Sequence, residues 1–218
     1  MTYKDIVENG DIREYIASAD RSLVALGYTE HSFAHVGKVA SDAAFILSEL
    51  GYPEEEIELA RIAAHLHDIG NLVNRNEHSQ SGAVMAFRIL DKLGMSAPDI
   101  ATVVSAIGNH DEGTGVAVNA VAAALIIADK SDVRRTRVRN QDFSTFDIHD
   151  RVNYSVEESS LSFSEDKSVL SLHLKIDQSI SSVMDYFEIF IGRMIMCRKA
   201  ADYLGVRFSL VINGQKLL

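Results

Sequence analysis

Cysteine is nearly absent: Cys197 is the single one in 218 residues. No internal disulfide framework can form, which fits a reducing, cytoplasmic setting. Cys197 itself lies in the apolar run Met194-Ile195-Met196-Cys197, where a buried, unreactive thiol is expected. Long apolar stretches are missing too. The longest, Ala120 to Ala128, is too short to span a bilayer. The opening residues Met1-Thr2-Tyr3-Lys4-Asp5 are polar, so no signal peptide is expected. Positive charge is scarce: a net charge of −10 argues against nucleic acid or an anionic membrane as partner. One segment runs the other way. Lys130, Arg134, Arg135, Arg137 and Arg139 stand against a lone Asp132. It reads either as a solvated loop or as a phosphate clamp, because Arg pairs bidentately with phosphate oxygens.

The rest of the chain is rich in helical signals. Phe33, Val36, Ala40, Ala43, Ala44, Leu47 and Leu50 recur at three- and four-residue steps and make one apolar face. Gly51 stops that helix. Pro53 then reads as a first-turn residue, followed by Glu54, Glu55 and Glu56 at the positive end of the next helix. That helix runs to Asp68 and ends at Gly70. Further helices are predicted over 79–93, from about 96 to His110, and over 119–132, the last apolar enough to be buried. The character changes near residue 140. Residues 152–176 read as a β-hairpin, with Leu170, Leu172, Leu174 and Ile176 alternating against Ser171, His173 and Lys175, and Glu165-Asp166-Lys167 as its turn. A long helix follows over 181–204, then a last strand over 206–212. The expected fold is mainly α: a helical bundle over residues 1–145 and a small α+β appendage (hairpin, helix, strand) over 146–218. The helix carrying Val183, Phe187, Phe190, Ile191 and Met194 is expected to pack on its own sheet, with a homodimer as the alternative.

Chemistry is concentrated in the histidines. His67-Asp68 closes an apolar helix, and a neutral imidazole beside a carboxylate makes a good divalent-metal pair. Two other His-Asp pairs occur, His110-Asp111 and His149-Asp150. The first stands out by its company: His35, His78, His110 and Asp129 each fall near the start or end of a helical segment. Antiparallel helices place such ends around one cavity. His149-Asp150 lies in an expected polar connector and is set aside, as is His173 on the polar face of its strand. His65 is two residues from His67 and points to another side of the helix, where packing is expected. His31 shares a helix face with His35 and is read as facing substrate or supporting a ligand. Six ligands exceed what one ion needs. They suffice for two ions bridged by a carboxylate and a hydroxide, on the order of 4 Å apart, an arrangement suited to phosphate-ester hydrolysis. The lack of cysteine in the set argues against structural zinc and leaves Mn, Fe, Co, Ni, Zn or Mg.

These residues resemble the HD superfamily of metal-dependent phosphohydrolases. The match is His35 in Glu30-His31-Ser32-Phe33-Ala34-His35-Val36, then His67-Asp68-Ile69-Gly70, then Asp129 in Ala128-Asp129-Lys130. His78 and His110 match the extra histidines of members with two metals. The resemblance implies that His35, His67, Asp68 and Asp129 hold one ion, and that His78 and His110 complete a second with Asp68 bridging. Asn71 stands where many relatives have Lys, so Arg75 or the Arg134–Arg139 cluster must take over phosphate contact. No Gly-Tyr-Pro element follows His110, which argues against the HD-GYP type of cyclic-di-GMP phosphodiesterase.

The expected activity is hydrolysis of a phosphate ester of a nucleotide or other small molecule by a metal-activated hydroxide. Asp68 and His67 are the candidate catalytic residues, Arg75, Arg134, Arg135 and Arg137 the candidate substrate contacts, and Asp111 or Glu112 candidate aids to proton transfer. Two other readings stand beside it: an HD-fold di-iron oxygenase, and a non-catalytic nucleotide-binding sensor.

Overall fold

Side-chain caps set most helix boundaries in the computed structural model, which describes residues 1–218. Helices α1 (Tyr3–Glu8) and α2 (Gly10–Ala25) are capped by Thr2 and Asn9, and α3 (Phe33–Glu49) by Ser32. Helix α4 (Glu54–Leu66) has Pro53 as its N-cap, with no side-chain cap bond. Its three first-turn glutamates face the helix dipole instead. Helix α5 spans His78–Lys92, α6 Ala97–Gly108 and α7 Ala120–Ser131. Gly51 and Gly94 end α3 and α5 at φ 78° and 80°, a backbone region open to glycine.

Helix α7 organises the molecule. Every residue from Ala120 to Ala128 is buried, as expected for a helix that is apolar all round. It packs against α3, α4 and α6, and on its far side against α9 (Val183–Tyr203). Alanines dominate its surface, so neighbouring helices approach closely and their ends converge. Between α4 and α5 a short 3₁₀ turn, Ile69–Leu72, lies against α5. A Cβ at Gly70 would collide with the carbonyl oxygen of His78 and the amide nitrogen of Gly82. Glycine at this position lets the two ligand-bearing segments touch backbone to backbone.

The C-terminal segment differs from expectation at one place. Residues 148–155 form a helix, α8 (Ile148–Ser155), where Asp147 caps the amide of Asp150. The hairpin therefore begins at Val156, not Val152, and His149-Asp150 lies on a helix rather than in a connector. Strand β1 (Val156–Phe163) pairs antiparallel with β2 (Val169–Ile176), and β2 pairs parallel with β3 (Arg207–Ile212) across the α9 crossover. A two-residue β4 (Gln215–Lys216) follows the expected last strand. Leu170, Leu172, Leu174 and Ile176 are buried as their alternation predicted. A single hydrophobic cluster runs from Ile6 to Ile212 through both the helical and the α+β segments. In it, Phe190 and Met194 of α9 are buried within the chain. Cys197 is buried there too, and burial pushes its thiol up to about 12. No helix is long and apolar enough to cross a membrane.

His65 is a core histidine with a thermodynamic consequence. It is 4% exposed, neither ring nitrogen has a hydrogen-bond partner, and its ring meets Tyr3 edge-on. Burial, aided by His67 and Arg13, lowers its pKa to about 4. The unfolded chain protonates this imidazole near pH 6.5, the folded chain only near pH 4. Stability from this residue is therefore lost as pH falls between those values, by about 2 kcal/mol at pH 5 relative to pH 8. In urea melts at the two pH values, His65→Leu is expected to shrink the acid loss by about that amount; an unchanged loss would place the sensitivity elsewhere.

Candidate metal centre

Five helix ends deliver six side chains to one point. His35 comes from the first turn of α3, His67 is the C-cap of α4 with Asp68 next to it, His78 opens α5, His110 follows α6, and Asp129 lies in the last turn of α7. Glu77, in the left-handed region at φ 59°, turns the chain into His78. His35, His67, His78 and His110 are buried, as is Asp68.

The ligand atoms form two adjoining groups. In the first, His35 Nε2 lies 3.3 Å from His67 Nε2, 3.6 Å from Asp68 Oδ2 and 3.4 Å from Asp129 Oδ1. His67 Nε2 is 3.2 Å from Asp68 Oδ2 and 3.6 Å from Asp129 Oδ1. In the second, His78 Nε2 lies 3.2 Å from His110 Nε2 and 3.4 Å from Asp68 Oδ1. The atoms of His67, Asp68 and His110 also fall within 4.8 Å of one another, so the groups overlap. Asp68 presents one oxygen to each.

What turns the imidazoles inward is the partner of their other nitrogen. Nδ1 of His35 bonds Asp132 Oδ2 at 2.7 Å. Nδ1 of His67 bonds the Ala64 carbonyl at 2.7 Å, that of His110 the Ile107 carbonyl at 2.7 Å, and that of His78 the Arg75 carbonyl at 3.1 Å. In the neutral imidazoles these acceptors assign the proton to Nδ1 and leave a lone pair on each Nε2; that of His78 also faces Arg75 Nη1 at 3.4 Å. Lone pairs a little over 3 Å apart repel unless a cation lies between them. Asp68 Oδ2 is sealed from solvent with no hydrogen-bond donor, and its contact with His67 does not have hydrogen-bond geometry. Burial opposes protonation of His67, but Asp68 and Asp129 overcome it and raise its pKa to about 10. Burial, together with His67 and Lys130, pushes His110 down to about 3. Burial works against ionising Asp68 and Asp129 as well, yet the imidazoles, and Lys130 beside Asp129, hold both well below the usual carboxylate range. A nitrogen and oxygen donor set with an orphaned carboxylate oxygen fits a divalent cation.

Residues 32–163, more than half of the chain, match the HD domain family. The chain belongs to that family. It is also similar to the uncharacterized protein MJ1020 of Methanocaldococcus jannaschii, 25% identical over 94% of this chain and 87% of that one. Among solved structures it is similar to a predicted HD superfamily hydrolase from an uncultured Thermotogales bacterium. There the identity is 25%, the TM-score 0.43, and the match covers 62% of this chain and 75% of that one. All six ligand candidates of this HD domain lie inside the matched span.

A cavity of about 360 Å³ opens beside the ligands. Asp68, His78, His110 and Asp129 line it, as do His31 and Asp111. Of the arginines singled out from sequence, Arg75 and Arg137 reach the cavity and Arg134 and Arg135 do not. Arg134 is engaged with Asp132 and Glu30, and Arg135 donates to the Tyr154 carbonyl and lies over its ring. Arg137 is buried and donates to the Glu30 and Asp132 carbonyls. Two further cations line the cavity. Lys130 sits 2.7 Å from Asp129 Oδ2, and Arg193 of α9 donates to Glu112. Lys130 was hidden in the basic run by its neighbours; Arg193 carried no sequence signal at all. Asp132 counted only as the odd acid of that run, yet it orients His35. In this HD domain, Asp132→Asn removes a charged acceptor while keeping its shape. Affinity for Mn²⁺ or Zn²⁺, read by chelator competition, is expected to fall about 10- to 100-fold. Unchanged affinity would mean that His35 orients without it.

Proposed function

We propose that this HD domain is a metal-dependent phosphohydrolase acting on a small phosphate ester. The observation that carries the reading is Asp68, whose two oxygens face two groups of imidazole Nε2 atoms. His35, His67, Asp68 and Asp129 would hold one divalent ion; Asp68, His78 and His110 would hold the other. Bound there, such ions supply Lewis acidity to a phosphoryl oxygen and lower the pKa of water. The chain's own groups do the rest. Arg75, with its guanidinium over Tyr28 and beside Asp68 and His78, has donors free for a phosphate oxygen. Lys130 neutralises the Asp129 oxygen that faces away from His35 and His67, and keeps ammonium donors for the substrate. Asp111, next to His110 and ionised under the influence of Lys130 and His78 despite burial, is placed to take a proton from the cavity. Cations beside the ligand cluster favour an anionic substrate over a neutral one, which suits a phosphate ester.

Phosphate release from p-nitrophenyl phosphate and a phosphoester panel in Mn²⁺ tests this, with Asp68→Ala alongside. Wild type is expected to turn over, and the variant to lose on the order of a thousandfold. Metal bound without release from any ester, together with oxygen consumption by the iron form, would move the assignment to an oxygenase. Metal analysis by mass spectrometry gives a separate check. About two equivalents are expected in wild type and about one in the double variant His78→Ala/His110→Ala; equal loading in both would leave a single ion.

A further inference from the structure

The cavity wall facing the ligands has a different chemistry from the ligand side. It is built by α8, outside the six ligand positions. Asp147 and Asp150 line the cavity, one oxygen of Asp147 accepting the Asp150 amide and one of Asp150 accepting from Asn140. Asn153 is only 6% exposed. Its Nδ2 donates to the His149 carbonyl at 2.8 Å, which fixes the amide plane. Asn153 Oδ1 accepts from no protein donor and belongs to a side chain that lines the cavity. That oxygen is accessible from the cavity, so it stays available to a donor on a ligand or a water. Beside His149, this wall thus carries two carboxylates and an amide oxygen, and acceptors bind hydroxyl or amino groups.

Two further features narrow the ligand. Tyr28 and Phe190 are the only aromatic residues lining the cavity besides histidines. Each has a guanidinium over its ring: Arg75 at 5.6 Å from the Tyr28 centroid, and Arg193 at 4.5 Å from that of Phe190. One face of each ring is thus taken by a guanidinium, which leaves less aromatic surface for a nucleobase. Asp147 and Asp150 also repel a second phosphate placed beyond the first, which selects against polyphosphates. The volume of about 360 Å³ is at the small end for ligand sites.

Taking the phosphoester reading above as its basis, we infer that the substrate is a monophosphate of a sugar or polyol. Its phosphate would sit on the metal side with Arg75 and Lys130, and its hydroxyls would be read by Asn153 Oδ1 and Asp150. A nucleotide is the competing class, and the two are told apart by direct comparison.

The test uses the full chain with Mn²⁺. Calorimetry compares glucose 6-phosphate and glycerol 3-phosphate with AMP and ATP, and phosphate release is measured on the same compounds and on p-nitrophenyl phosphate. Sugar and polyol monophosphates are expected to bind at least tenfold tighter than AMP. In Asn153→Ala and in Asp150→Asn, kcat/KM for the sugar phosphate is expected to fall about tenfold further than kcat/KM for p-nitrophenyl phosphate. A packing defect would lower both together. Preference for AMP or ATP, or equal losses on the two substrates in both variants, overturns the inference. Tight sugar-phosphate binding that depends on Asn153, without any phosphate release, upholds the ligand class and instead overturns hydrolysis.

Discussion

The centre depends on which nitrogen of each imidazole is left bare. An imidazole has one proton to share between two nitrogens, and a buried N–H takes the nearest acceptor. At His67 and His110 that acceptor is a carbonyl three residues back, in the last turn of the same helix. Such terminal carbonyls lack the amides that the helix interior would provide. A histidine placed just at the end of a helix thus satisfies a carbonyl and turns its Nε2 outward from the helix axis in one move. His78 uses the Arg75 carbonyl in the same way, whereas for His35 the Ser32 carbonyl three residues back already accepts the Val36 amide, and it uses the carboxylate of Asp132 instead. Helix ends therefore do more than bring ligands near each other. They select the tautomer.

Burying carboxylates in an alanine-rich bundle is costly, and the surroundings are arranged to offset it. Asp129 is paired with Lys130, its own neighbour in sequence, and Asp132 with Arg134 and Arg137. Asp68 has no such partner for Oδ2. The uncompensated charge is thus concentrated on the one residue that both ligand groups share. Without another cation, the proton held by His67 fills that role.

Much of this was readable from the chain. The long helices were legible because their apolar spacing, capping residues and glycine stops agree, and the hairpin turn because Glu165-Asp166-Lys167 interrupts a clean alternation. The side chains that converge on the centre were legible because each falls at a helix boundary. Helix α8 was not. It is eight residues long and polar, so it has no apolar stripe to read, and its capping Asp147 looks like any loop aspartate. The basic run misled in a physical way as well. Density of arginine along a chain says nothing of which acceptors the fold will bring to them, and Asp132, Glu30 and Tyr154 occupy Arg134 and Arg135. Arg193 was illegible because only the packing of α9 on α7 brings it to the cavity.

The order of parts along the chain has a consequence during synthesis. The ribosome releases the N-terminus first, and segments fold as they emerge. All six ligands lie between residues 35 and 129, whereas the cavity walls contributed by α8 and α9 come after residue 147. A nascent chain stalled after α7 would carry the six side chains that converge, but neither Asp132, which orients His35, nor the later cavity walls. The candidate ligands belong to the earlier part of the chain's emergence, and the walls that close the cavity over them arrive only with the later part.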